Sequence, residues 1–119
     1  MNTRILLADD HPVLTDALFH LLKQYFEIVG VAKNGSELIS KAKEARPDVI
    51  LMDISMPVMD GREFLRRKRS DPRIAEVPVI AISASSSGAL EGVEEVLMKP
   101  DPIDAFVDAV RRHVFKKGA

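Results

Sequence analysis

The sequence predicts an α/β fold, a doubly wound parallel sheet with helices on both faces. Two observations carry this. Short apolar runs alternate with longer segments of helical period along the 119 residues, the pattern of strands joined by crossover helices. The runs are also apolar at nearly every position, as strands covered on both faces are. A third observation concerns where polar residues gather, which is just after the apolar runs.

The elements follow in order. Ile5–Ala8 reads as the first strand. From Pro12 to Phe26, Leu14, Leu18, Leu21, Leu22 and Tyr25 fall on one inward helical face. Ile28–Ala32 is the second strand, closed by the turn signal Asn34-Gly35. Ser36–Arg46 reads as a helix with Leu38, Ile39 and Ala42 inward. Val49–Met52 is the third strand, followed by a helix from Arg62 to Ser70 and a loop through Asp71-Pro72. The run Arg66–Arg69 on that helix reads as a solvated face, with a docking patch as the alternative. Val79–Ile82 is the fourth strand and Val96–Met98 the fifth. The last helix starts at Asp101-Pro102, an N-cap followed by proline at the first helical position. It turns Ile103, Phe106, Val107, Val110 and Val114 inward.

Composition narrows the function. The length fits a single domain, residues 1–119. Net charge is −1, which gives no long-range attraction to nucleic acid or to anionic lipid. There is no cysteine, so disulfides and thiolate metal sites are excluded. No apolar run reaches the length of a membrane span, and the amino-terminal residues lack the layout of a signal peptide. The expectation is a cytoplasmic protein without direct nucleic-acid or membrane binding.

The polar residues carry the chemistry. Asp9 and Asp10 follow the first strand, Asp53 ends the third, Ser83 follows the fourth and Lys99 the fifth. In a parallel sheet these carboxyl ends share one edge, where open α/β sheets bind ligands. Each residue alone has a plainer reading: Asp10 as a helix N-cap, Asp53 as a solvated strand-end acid, Lys99 as a surface lysine, Asp60-Gly61 as a turn. Together they form a set. Three close carboxylates repel one another, and a hard cation such as Mg2+ relieves that repulsion. A carboxylate can attack phosphorus. A cation, an ammonium and a hydroxyl would stabilise the phosphoryl oxygens.

Leu7-Ala8-Asp9-Asp10-His11-Pro12, Pro47–Gly61, Ala81-Ile82-Ser83-Ala84 and Met98-Lys99-Pro100 together resemble the receiver domains of two-component response regulators, from Ile5 to about Val114. The resemblance implies a flavodoxin-like (βα)5 fold with strand order 2-1-3-4-5. It implies that Asp53 accepts a phosphoryl group from a histidine kinase or phosphotransfer protein. It further implies Mg2+ held by Asp10, Asp53 and the backbone carbonyl of Ser55, with Asp9 acting through water. Lys99 would pair with the phosphoryl group, and Ser83 would move to bond one of its oxygens. The switched surface would be read by a downstream protein or by an output domain. The chain ends at Ala119, so it reads as a stand-alone receiver or as one excised from a longer regulator or hybrid kinase. No external turnover substrate is expected.

Two departures stand out. Where the family has an aromatic residue three positions before the lysine, this chain has Val96. Only fifteen residues, 84 to 98, separate Ser83 from Lys99, and Ser85–Gly92 is poor in helix formers. The helix between the fourth and fifth strands is therefore expected to be short or missing. Two other functions compete with this one. A phosphohydrolase similar to the haloacid dehalogenase family would need Asp-x-Asp after the first strand, where this chain has adjacent Asp9-Asp10. A degenerate receiver, binding partners without phosphorylation, would not need all five site residues.

Overall fold

The structure, a computed structural model, describes residues 3–10, 12–53, 61–83, 92–98 and 103–114. In chain order the elements are β1 (Arg4–Ala8), α1 (Pro12–Leu22), β2 (Glu27–Ala32), α2 (Gly35–Ala45), β3 (Val49–Asp53), α3 (Gly61–Arg69), β4 (Val79–Ser83), β5 (Glu95–Met98) and α4 (Ile103–His113). The strands form one sheet in the order β2-β1-β3-β4-β5. All four neighbouring pairs are parallel. The fold is thus the flavodoxin-like one expected, with four helices among the described residues. Residues 84–91, where a short or missing helix was expected, and the helix start at Asp101-Pro102 lie outside the described residues.

Strand alternation builds two cores, one on each face of the sheet. Ile5 and Leu7, Val49 and Leu51, and Ile80 and Ile82 face α1 and α4, against Leu18, Leu22, Phe106 and Val110. Leu6 and Ala8, Ile50 and Met52, and Val79 face α2 and α3, against Leu38, Ala42, Phe64 and Leu65. Every residue of β3 and β4 is buried. Strands sandwiched in this way must be apolar on both sides.

Local signals set the helix ends. Asn34, expected only as part of a turn, is the N-cap of α2: its side chain accepts from the Glu37 backbone N–H at 2.9 Å. Arg46 closes α2 with φ of 50°, its own N–H returning to the Ala42 carbonyl. Gly92, at φ of +94°, takes a backbone conformation that side chains disfavour. It leads into Glu94, whose backbone N–H donates to the Val79 carbonyl at 2.8 Å. The Glu94 carboxylate accepts from the Val79 N–H at 2.6 Å.

Two expectations about faces are corrected. Leu21 and Tyr25 are not core residues; they are 43% and 46% exposed. The helix ends at Leu22, and Lys23–Tyr25 form a turn. The turn breaks the 3.6-residue stripe, so Phe26 enters the core in place of Tyr25. Leu21 lies to the side of the buried Leu18–Leu22 line. The basic run on α3 is likewise not uniformly solvated. Arg66, Arg67 and Arg69 are exposed, but Lys68 is buried. It shares a helical face with Phe64, and its Nζ donates to the Ala75 carbonyl at 2.7 Å. Burial pushes its ammonium pKa down, against the opposing pull of Glu94.

Asp71 ties the loop after α3 to α2. Its carboxylate accepts from the Arg73 backbone N–H at 3.0 Å and from the Arg73 guanidinium. It also pairs with Lys43 of α2 at 3.2 Å. The Arg73 bonds, and then Lys43, hold its pKa at about 2, below the ordinary 3.8. A depressed folded-state pKa adds stability that is fully present above the ordinary value and lost as pH falls through the folded one. A carboxyl-carbon NMR titration should therefore place the Asp71 midpoint at about 2, and Arg73→Gln should move it up toward the ordinary value. An unchanged midpoint in the variant would contradict this assignment. Phe64, fully buried, should cost about 3–5 kcal/mol on truncation to alanine, whereas Tyr25→Ala should stay within about 0.5 kcal/mol; urea unfolding compares the two.

Candidate functional site

The sheet order creates the site. The chain steps outward from β1 to β2, then crosses back to place β3 on the other side of β1. The crevice at such a reversal, outside the strands' carboxyl ends, is where α/β sheets bind ligands. Ala8 of β1 is paired with Met52 of β3, so Asp9 and Asp53, each one residue further on, lie level across the β1–β3 seam. The Asp9 backbone N–H donates to the Ala32 carbonyl at 3.0 Å, which carries the β1–β2 ladder through Asp9 and fixes its backbone. The carbonyl of Ala32 is a positioning group that sequence reading did not single out; a main-chain acceptor leaves no signal in residue identity. On the far side, Asp53 is paired with Ile82, so Ser83 stands one step beyond it on β4. Ser83 is in turn paired with Met98 on β5.

The structure thus brings together four of the residues chosen from sequence: Asp9, Asp10, Asp53 and Ser83. Asp9, Asp53 and Ser83 are buried, 4%, 2% and 7% exposed, and Asp10 is half-buried. Asp9, Asp10 and Asp53 each offer a carboxylate oxygen, and the three atoms lie within 4.8 Å of one another. Lys99 and Ser55 lie outside the described residues. Val96, the departure from the expected aromatic residue, is half-buried in β5 and paired with Ala81.

The electrostatics of this trio define its chemistry. Two carboxylate charges no more than 4.8 Å apart repel by about 3 kcal/mol or more at an effective dielectric of about 20. Three such charges share one crevice, two of them on buried residues. An oxygen-only donor set of this charge suits a hard divalent cation, which would offset the repulsion. The residues present therefore fit Mg2+ and do not fit a soft metal, since the chain has no cysteine.

Comparison with known proteins agrees with this geometry. The model of the response regulator receiver domain matches residues 5–111. The chain is 30% identical over 117 residues to the chemotaxis protein CheY of Bacillus subtilis, covering 94% of this chain and 98% of that protein. It is 43% identical over 84 residues to a protein-glutamate methylesterase/protein-glutamine glutaminase of Bacillus licheniformis, covering 68% of this chain but only 22% of the relative. Several other curated relatives are also much longer than the matched region: the chain spans 51%, 36% and 25% of three of them. Among solved structures it superposes with a TM-score of 0.88 on the receiver domain of sensor histidine kinase PA1611 from Pseudomonas aeruginosa PAO1, at 27% identity, covering 95% of this chain and 98% of that one. That structure holds a magnesium ion coordinated in its active-site cleft.

Repulsion within the trio has a measurable consequence. Without divalent cation, Asp53→Asn should raise the unfolding free energy by about 1–3 kcal/mol, because one like charge is removed. Free Mg2+ at about ten times its Kd should add about 1.4 kcal/mol to the wild type and much less to the variant, narrowing the gap. Equal responses to Mg2+ in the two proteins would show that Asp53 does not help to hold the ion.

Proposed function

This chain belongs to the response regulator receiver domain family, and from that premise we propose that Asp53 is its phosphoacceptor, fed by a histidine kinase or a phosphotransfer protein. The observation that carries the reading is the convergence of Asp9, Asp10 and Asp53 on one buried crevice at the sheet's carboxyl edge. Receiver domains act as phosphorylation-driven signalling modules, and the fold and family of this chain are theirs.

A carboxylate oxygen of Asp53 attacks the phosphorus of a phosphohistidine. The phosphorus–nitrogen bond breaks, the imidazole nitrogen leaves with the bond's electron pair, and an aspartyl phosphate results. Asp53 suits this role because it ends β3, a strand paired with β1 on one side and β4 on the other. The reacting group therefore arrives at a rigid position. Asp9 and Asp10 hold negative charge where Mg2+ would bind, with Asp53 and the Ser55 carbonyl completing the set and Asp9 contributing through water. When bound, that ion supplies charge neutralisation for the phosphoryl oxygens. Ser83, one step beyond Asp53 on the neighbouring strand, donates its hydroxyl to a phosphoryl oxygen, and Lys99 pairs with the same group.

Phosphorylation then biases the loop states in which Ser83 and Lys99 lie inward. A downstream protein or a linked output domain reads the altered surface. With Val96 in place of an aromatic ring, no ring at that position can swing between buried and exposed states.

Incubation with radiolabelled acetyl phosphate and Mg2+ should label the protein stoichiometrically. Asp53→Ala should take up no label, and chelation of the metal should abolish labelling of the wild type. Base-labile label that persists in Asp53→Ala would overturn the assignment.

A further inference from the structure

Arg67 of α3 and Arg73 of the loop after it play no part in the chemistry at Asp53, and they line a cleft at the other end of the helices. We propose that the cleft between α2 and α3 is a docking site for an acidic peptide segment of a partner protein, separate from the phosphorylation crevice. This goes beyond the phosphoacceptor reading and does not depend on it.

The cleft has a volume of about 480 Å³ and is lined by Ile39 and Lys43 of α2, Arg67 of α3, and Asp71, Pro72 and Arg73 of the following loop, among others. Three cations thus line the cleft against two carboxylates, Asp71 and the Glu63 that holds Arg67, although the whole chain carries a net charge of −1. Asp71 is occupied by Lys43 and Arg73, which leaves a local excess of positive charge. Arg67 commits its Nε to Glu63, and Arg73 commits Nε and Nη2 to Asp71. The two terminal nitrogens of Arg67 and the Nη1 of Arg73 meet no acceptor among the described residues. Both side chains are well exposed, at 60% and 63%. Guanidinium forks with spare donors match carboxylates in a planar, two-bond geometry. Asp71 and Glu63 hold these forks in place, so less side-chain freedom is lost on binding.

The chemistry favours a peptide over a nucleic acid. Specific protein–DNA interfaces bury roughly 600 Å² or more of protein surface and neutralise many phosphates. Here the basic residues are interrupted by Glu63 and Asp71, and few cations remain uncompensated. Ile39 and Pro72 add apolar wall to the same cleft. That mixture fits a short segment in which acidic residues are interspersed with apolar ones.

Topology places the cleft far from Asp53. Both α2 and α3 start at the carboxyl edge of the sheet and run toward the amino edge, where β3 and β4 begin. Lys43 and Arg67 lie in the last turns of their helices, and Asp71 and Arg73 follow α3. Docking there should therefore be insensitive to Mg2+ and to acyl phosphate.

The test uses the full chain and a fluorescein-labelled peptide of glutamates interspersed with leucines. A glutamine-for-glutamate peptide and a single-stranded DNA oligonucleotide serve as competing probes. Anisotropy should show saturable binding of the glutamate peptide that weakens with salt. The double variant Arg67→Gln/Arg73→Gln should bind at least about tenfold more weakly, as expected for loss of charge-assisted bonds. Arg112→Gln, on a helix of the opposite face, should bind as the wild type does. Arg67→Lys/Arg73→Lys keeps both charges and should bind with intermediate affinity, which separates recognition from any loss of fold. Amide shifts on titration should centre on residues 39–43 and 67–73. Absence of binding, equal binding by the double variant, preference for the oligonucleotide, or shifts centred elsewhere would each overturn the proposal.

Discussion

Everything in this molecule is arranged around three carboxylates that do not want to be together. Asp9, Asp10 and Asp53 crowd into one crevice, and two of them are almost wholly out of solvent. Such a cluster cannot be sustained by flexible loops, which would relax outward. It persists because the backbone beneath it is fixed on both sides. β1 lies between β2 and β3, and β3 lies between β1 and β4. Asp53 thus ends β3, and Asp9 and Asp10 directly follow β1, two strands paired on both sides, at a site where a cation would lower their mutual repulsion.

The sandwich supplies that stiffness. Alternate residues of β1, β3 and β4 feed two separate cores, one under α1 and α4 and the other under α2 and α3. A slip of one residue in any of these strands would exchange the two faces, and the helices would meet the wrong side chains. The register that sets Asp9 level with Asp53 is therefore enforced by the packing of Leu6, Leu7, Ile50 and Leu51 rather than by the acids themselves. Stability is concentrated in the central strands, and the chemistry sits at their ends, where the apolar requirement lapses.

How much of this could be read from residues alone follows from the same division. Strands buried on both faces leave an unmistakable apolar run, so Ile5–Ala8, Val49–Met52 and Val79–Ile82 each match their strand to within one residue. Polar residues immediately after such runs then marked Asp9, Asp10, Asp53 and Ser83 as members of one edge. The errors fell where periodicity stops being informative. Leu21 and Tyr25 continue the α1 stripe on paper, but the turn at Lys23–Tyr25 ends the helix and re-aims the chain. Lys68 looked like its basic neighbours, because nothing in a run of four basic residues says which one points inward. Its burial is decided by Ala75, seven residues away, whose carbonyl receives the ammonium. Asn34 showed a turn but not its role as a cap, since the two uses of that side chain share one sequence signature.

Basic residues collect in the last turns of the helices, and the cause is geometric. Helices of a parallel α/β fold all start near the carboxyl edge and finish near the amino edge. The positive ends of their dipoles therefore face the acidic crevice, and their negative ends attract basic residues to the last turns. Lys43 on α2, Arg66 to Arg69 on α3, and Arg111 to His113 on α4 follow this rule. A surplus of basic residues at that end is thus first a consequence of the fold. What turns part of it into a recognisable surface is the way the surplus is tethered. On α4, Arg112 and His113 both close onto Glu95 of β5, which lashes the helix to the edge strand. Between α2 and α3 the acids hold the arginines by one side of the guanidinium only. The same electrostatic preference of helix ends therefore fastens an element on one face of the sheet and leaves donors facing outward on the other.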